Sequence, residues 1–436
     1  MLAFITSTTF LMILLFISLI IFIGSGIPVA ISLGLSSLLI ILLEPDLDIW
    51  IFFQRSMNSL NSFVLLAVPL FLLTGNIMNR SSISQHLIDF AQSIVGHISG
   101  GLAHVNIVVS MLFAGISGSS NADAAGIGSV LIPAMKKEGY PSSFSVSVTA
   151  VSAVMGNVIP PSLLMVVWSS ITETSVAGLF IGGIIPGMMI GFGQMFIAWR
   201  IAKKRNYPSK QRSTLREILS ESKHALIAMG TPLIIIGGIV MGYFTPTEAA
   251  VSAIIYSLII CIFIYRDITL EKFIEACNET ARITALALFC LAMASIFGWL
   301  ISYYQLPKML LAHVNINSPG LLLVFTSIVM MFMGTFMDPL AIMAIVGALF
   351  LPLIEEAGIH TLHFGVVSIV ALSLGFVTPP YGVCLLISSK IGEIPMNKAL
   401  KDVLPFFIAM VIILLLIIFI PQLIMYLPKL LVPRFI

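Results

Sequence analysis

Charge is scarce in this sequence. Only 9% of its 436 residues are Asp, Glu, Lys or Arg, against 59% hydrophobic, whereas soluble domains run near 25% charged. A water-soluble chain of this length would need more charge to cover its surface, so lipid must cover much of it. Cysteine is equally sparse. Cys261, Cys277, Cys290 and Cys384 lie in or beside apolar runs with no CxxC pair, which excludes a disulfide framework and a thiolate metal site. The seven histidines show no paired ligand spacing. No GxxxxGK[ST] motif is present, so ATP is not the energy source within this chain. A formal charge of +2 gives no support for nucleic acid binding. No nucleophile–base set or metal-ligand cluster points to an enzyme, and no ring-forming filter repeat points to a channel.

What fills the chain instead is hydrocarbon, with a mean hydropathy of +1.11. A span needs about 20 mostly apolar residues to cross roughly 30 Å of lipid. Spans are expected near 6–24, 28–43, 62–78, 143–172, 178–199, 224–242, 247–264, 280–303, 363–387 and 402–424. The first has no Lys or Arg ahead of it and no clear cleavage site, so it is read as a retained span. Segments 48–61, 82–96, 270–280 and 307–314 mix apolar and polar residues. They suit helices lying at the interface, or polar loops with some helix.

Basic residues orient the chain. Segment 200–223 holds eight of the 21 Lys and Arg, which places it in the cytoplasm. Threading outward puts nine more on that side, leaving Arg55, Lys308, Lys429 and Arg434 outside. This balance holds if stretches 101–135 and 317–354 each return to the side they entered. Ten crossings then leave both termini outside.

Those two stretches belong to an internal repeat with a fixed offset of 219. Gly115, Pro133, Gly139, Gly156, Pro160 and Pro161 match Gly334, Pro352, Gly358, Gly375, Pro379 and Pro380 without a gap. The first stretch begins and ends inside, the second outside. The chain is therefore expected to be an all-α polytopic membrane protein of two inverted repeats, 1–222 and 223–436, each with a re-entrant hairpin and a broken helix. Such repeats are a recurring plan of secondary transporters.

The hairpin tips read Gly115-Ile-Ser-Gly-Ser-Ser-Asn-Ala-Asp123 and Gly334-Thr-Phe-Met-Asp-Pro339. The broken helices read Gly156-Asn-Val-Ile-Pro-Pro-Ser162 and Gly375-Phe-Val-Thr-Pro-Pro-Tyr-Gly382. Paired prolines remove two donors and break a helix. Backbone groups freed inside lipid cost several kcal/mol each unless something satisfies them. Carbonyls, hydroxyls, the Asn157 amide and a carboxylate form a hard-oxygen shell suited to sodium. The helix start after Ser119, Ser120 and Asn121 faces an anion. Asp338, in mid-run, has two roles open to it: shaping an ion site or capping the helix that starts at Pro339. Asp123 is open in the same way. Glu248 is expected to cap the span after Pro246.

These motifs carry a family resemblance. Stretches 111–139, 157–162, 244–250 (FTPTEAA), 334–339, 363–366 (HFGV) and 378–383 (TPPYGV) resemble the large membrane subunit of tripartite ATP-independent periplasmic (TRAP) transporters, over essentially the whole chain. The resemblance implies a sodium-driven importer of elevator type in the bacterial inner membrane, where the threading above puts both termini on the periplasmic side. It implies no cofactor beyond Na⁺ as coupling ion. It implies an organic acid anion (a sialic acid, a C4-dicarboxylate or a related sugar or keto acid) taken from a periplasmic binding protein. No four-span extension precedes the first span, so a separate small four-span subunit is implied. One sodium site would involve Ser117, Gly118 and Asn157, and the other Gly334, Asp338 and Thr378. Substrate would lie near Ser119, Ser120, Asn121 and Asp123. The rival is a stand-alone ion-coupled symporter of another inverted-repeat family.

Overall fold

The structure, a computed structural model, describes residues 8–307 and 318–435. In its first half, α1 is Thr8–Gly24, α2 Val29–Leu43, α3 Trp50–Leu60, α4 Ala67–Asn79, α5 Ile83–Val95, α6 Gly101–Ser117, α7 Ser120–Lys137, α8 Ser142–Ala153, α9 Leu163–Thr172 and α10 Val176–Arg205. In its second half, α11 is Leu215–Val240, α12 Pro246–Ile259, α13 Leu270–Tyr303, α14 Pro319–Met333, α15 Pro339–Glu356, α16 Thr361–Gly375, α17 Val383–Gly392, α18 Met396–Phe419 and α19 Gln422–Leu431. The described residues form an all-α, multi-pass helical bundle.

The ten expected crossings are not ten long helices. Among the described residues, six helices are long and apolar enough to cross a membrane alone, or seven if α3 and the segment Phe63–Asn79, bent by 60°, count together. The others are short. The 15 residues of α2 rise only about 22 Å. Conversely α15, expected as one arm of a hairpin, is itself among the six.

Segment 270–280, expected as a separate interfacial helix, is instead the start of α13, one continuous helix of 34 residues. No proline interrupts this run and its lone glycine is Gly298, so nothing ends the helix where its polarity changes. The last expected span, 402–424, stops at Phe419. Pro421 follows, and a separate helix, α19, begins at Gln422, as the missing proline donor requires. Segments 48–61 and 82–96 do form helices. Trp50, Phe53 and Met57 of α3 are exposed, an apolar side suited to lipid. The expected helix at 307–314 lies, except for Pro307, outside the described residues.

Both repeat stretches are interrupted. Helix α6 ends at Gly118, whose φ of 62° suits a residue without Cβ. Helix α7 restarts after Ser119. Helix α14 ends at Met333 and α15 restarts after Asp338 with proline at its first position. The broken pairs α8/α9 and α16/α17 part at Pro160–Pro161 and Pro379–Pro380, both bonds cis. The halves interlock by exchange: α9 packs on α15, and α17 packs on α7 and α8. Helix α4 packs on α12 and α13, and α13 in turn on α2 and α15.

Candidate functional site

Each tip sits in the break beside it because glycines let backbones close. A Cβ on Gly156 would lie 2.5 Å from Asp123 Oδ2 and 2.9 Å from the Ser120 nitrogen. A Cβ on Gly375 would lie 2.7 Å from the Gly334 backbone. Hydrogen bonds then lock the contacts. At the first tip, the Leu163 N–H donates to the Gly118 carbonyl at 3.2 Å. The Ser120 N–H donates to Asn157 Oδ1 at 3.3 Å, and the Ser120 hydroxyl to the Val154 carbonyl at 3.2 Å. At the second, the N–H groups of Tyr381 and Gly382 donate to the Thr335 carbonyl at 3.2 and 3.3 Å. The N–H groups just past the prolines are thus met by the tip, while the carbonyls of Asn157, Gly375 and Phe376 are met within their own break by Ser162, Thr378 and the Cys384 and Leu385 amides.

The residues named for the first ion site come together. The Ser117 hydroxyl donates to Asp123 Oδ1. Asp123 Oδ2 is buried without a partner. Asn157 Nδ2 donates to Ser373 Oγ at 3.4 Å, which ties the first break to α16 of the second half. The second set divides. Gly334 presses on Gly375, and the Thr378 hydroxyl donates to the Gly375 carbonyl at 2.9 Å. Asp338 turns elsewhere. Its Oδ1 accepts the Leu340 N–H at 2.9 Å, so it caps α15, while it faces the first tip across a cavity.

That cavity is about 100 Å³ and is lined by Gly118, Ser119, Asn121, Asn157, Asp338, Pro339, Leu340 and Phe376, closed by Val68, Leu72, Leu164 and Val167 among others. Its lining respects the repeat. Ser119 and Asp338 are 219 apart, as are Asn121 and Leu340, and Asn157 and Phe376. In these three pairs the first-half members are polar and the second-half members apolar, Asp338 excepted. Of the residues named for substrate, Ser119 and Asn121 line this space. Ser120 and Asp123 do not; both are buried against the helix break. Ser119 does not cap the α7 start with its own side chain; Asn157 takes the Ser120 N–H there and leaves the next amides, of Asn121 and Ala122, without a side-chain cap, whereas the α15 start is filled by Asp338.

Three partners escaped sequence reasoning. Ser162 caps α9, accepting the Met165 N–H at 3.4 Å while its hydroxyl reaches the Asn157 carbonyl. Ser373 meets Asn157, yet its repeat counterpart is Val154, so the repeat carries no sign of it. Arg80 lines a second cavity, of about 640 Å³, that shares Ser119 and Asn121 with the first. Among the described residues no group of three or more His, Cys, Asp or Glu could hold a metal.

Comparison with known proteins agrees with this architecture. Residues 16–423 match the family described as "Tripartite ATP-independent periplasmic transporter, DctM component". The chain is 37% identical over 408 residues to the sialic acid TRAP transporter large permease protein SiaM of Vibrio cholerae, covering 93% of this chain and 96% of that one. It is 36% identical to the C4-dicarboxylate TRAP transporter large permease protein DctM of Pseudomonas aeruginosa, covering 91% and 94%. In fold it is similar to the YdaH transporter of Alcanivorax borkumensis, with a TM-score of 0.57 at 16% identity, covering 84% and 86%. The chain therefore belongs to the DctM component family of TRAP transporters, a family of multi-pass membrane transport proteins and not of enzymes.

Proposed function

We propose that this chain is the membrane permease of a sodium-coupled uptake system for an organic acid anion. A periplasmic binding protein delivers the acid, and a small four-span subunit accompanies the permease in the bacterial inner membrane. The observation that carries this reading is the cavity between Ser119 and Asp338, repeat-related positions on the two tips. Substrate binds there against the open α7 start, where backbone amides and the helix dipole favour a carboxylate. Relatives named for sialic acid and for C4-dicarboxylates bound the class.

Sodium would be held by Ser117, Gly118 and Asn157 on one side and by Gly334, Asp338 and Thr378 on the other. The first set fits the ion on one point of this structure: Asp123 Oδ2, buried beside Ser117, lacks any partner, and a cation would answer that charge. Ion binding supplies the free energy. This chain's residues hold the tips against the breaks, orient the anion and keep water from the freed backbone. The two repeats, 1–222 and 223–436, are read as inverted, with both termini periplasmic, and the tips with their broken helices slide as one body across the remaining helices.

The test is uptake into proteoliposomes holding this permease, its small subunit and its binding protein, with the acid first chosen by thermal shift of the binding protein. Uptake should require an inward sodium gradient; uptake indifferent to sodium sinks the coupling.

A further inference from the structure

The larger cavity contains a cation. Arg80, beyond the end of α4, is the one Lys or Arg lining it. Its guanidinium bridges Glu275 and Glu279 of α13, with Glu279 at 2.8 Å. Its Nε is buried without a partner. The side chains are partly open to the cavity, 29% for Arg80 and 48% for Glu279. Leu72, Ser119, Asn121 and Ile283 line this cavity and the small one alike. A ligand leaving the first tip this way crosses the cavity that Arg80 lines.

The other direction is shut. A third cavity, of about 800 Å³ at Glu173 and Glu248, shares no lining residue with the small one. Val64 and Ser169 line it, whereas Val68 and Val167 line the small one. Leu65, Ala67 and Trp168, buried in the intervening chain, part the two. The distribution of basic residues puts the Arg80 end in the cytoplasm.

We propose that Arg80 is a transient handhold for the acid's carboxylate on the release path, and that Glu275 and Glu279 set how briefly it holds. This rests on the organic-acid reading and adds a residue to it. A guanidinium grips a carboxylate through two parallel N–H bonds. Nη1 and Nη2 each already bond a glutamate and Nε is buried, so an arriving carboxylate takes both arms of the fork only by displacing one of like kind. The exchange is nearly even, which suits passage and not storage. Glu279 lines the same wall and Glu275 stands beside Arg80, so without Arg80 that wall repels an anion.

Thiol labelling reads the cavity's potential without any substrate. Ser129 is exposed on the cavity wall. In a Ser129→Cys chain, labelling rates by a negatively and a positively charged methanethiosulfonate are compared, subtracting the unsubstituted chain. Adding Arg80→Gln should lower the anion-to-cation ratio by about fivefold or more, and adding Glu279→Gln should raise it. In uptake, Arg80→Gln should raise KM, while Glu279→Gln should lower KM and kcat together as release slows. Unchanged labelling ratios in both variants, or unchanged uptake kinetics in both, overturn the proposal. If the unsubstituted chain moves no organic acid, the transport reading itself fails; the labelling ratio, which needs no substrate, keeps the two failures apart.

Discussion

Asp338 ends its carboxylate on the Leu340 amide and on a cavity shared with the other tip. The two roles open to it from sequence are thus separable by one substitution. Asp338→Asn keeps an oxygen for the cap but removes the charge. We expect the protein to fold as before and its apparent sodium affinity to fall by about tenfold or more, worth ~1.4 kcal/mol. Sodium-dependent uptake with an unchanged half-saturation would leave Asp338 as a cap alone. Gly156 and Gly375 are tested differently. Their added methyl groups would meet backbone and Asp123, not flexible chain ends. Gly156→Ala and Gly375→Ala should each destabilise by roughly 1–3 kcal/mol, seen as a lower unfolding temperature in detergent, and should cut uptake. A stable and active Gly156→Ala protein would mean the first tip does not sit in its break as described.

At the scale of elements, the breaks were legible because each has a local cause. Gly118, the proline pairs and the proline after Asp338 end or start their helices, and the 219 offset repeats the proline pairs. What could not be read is where polarity changes without a breaker. Residues Leu270 to Thr280 look interfacial by composition, but an unbroken run of helix formers carries them into α13. Contacts between elements were equally hidden when one partner is unremarkable, as with Ser373 opposite Asn157. The site was legible in its residue types but not in its grouping: Asp338 parts from Gly334 and Thr378, and Ser120 and Asp123 turn inward. Ser162 makes this scale testable. It starts α9 and ties it to the Asn157 carbonyl. Ser162→Ala should cost about 1 kcal/mol, as a lost N-cap does, and should shift the half-helix that holds Leu163 against Gly118. Unfolding temperature and uptake rate should fall together. A drop in stability with full uptake would confine Ser162 to capping.

For the whole molecule the question is which surfaces move. Helix α4 packs on α12 and α13, while α7 packs on α8 and α17, and under the proposed sliding motion the first tip rides with one body and α4 with the other. They touch where a Cβ on Gly126 would lie 2.6 Å from Asn79 Oδ1. Adding the reach of an asparagine side chain, the Cβ atoms of the two positions fall within about 5 Å, close to disulfide range. If the tips ride as one unit past the other helices, a bond there must hold the protein in the state open toward Arg80. The Asn79→Cys, Gly126→Cys protein, once oxidised, should lose uptake and regain it on reduction, while each single variant keeps it through both treatments. Full uptake with the bond formed would mean these two surfaces do not slide, and an anion would then have to cross a body whose two ends are never open in turn.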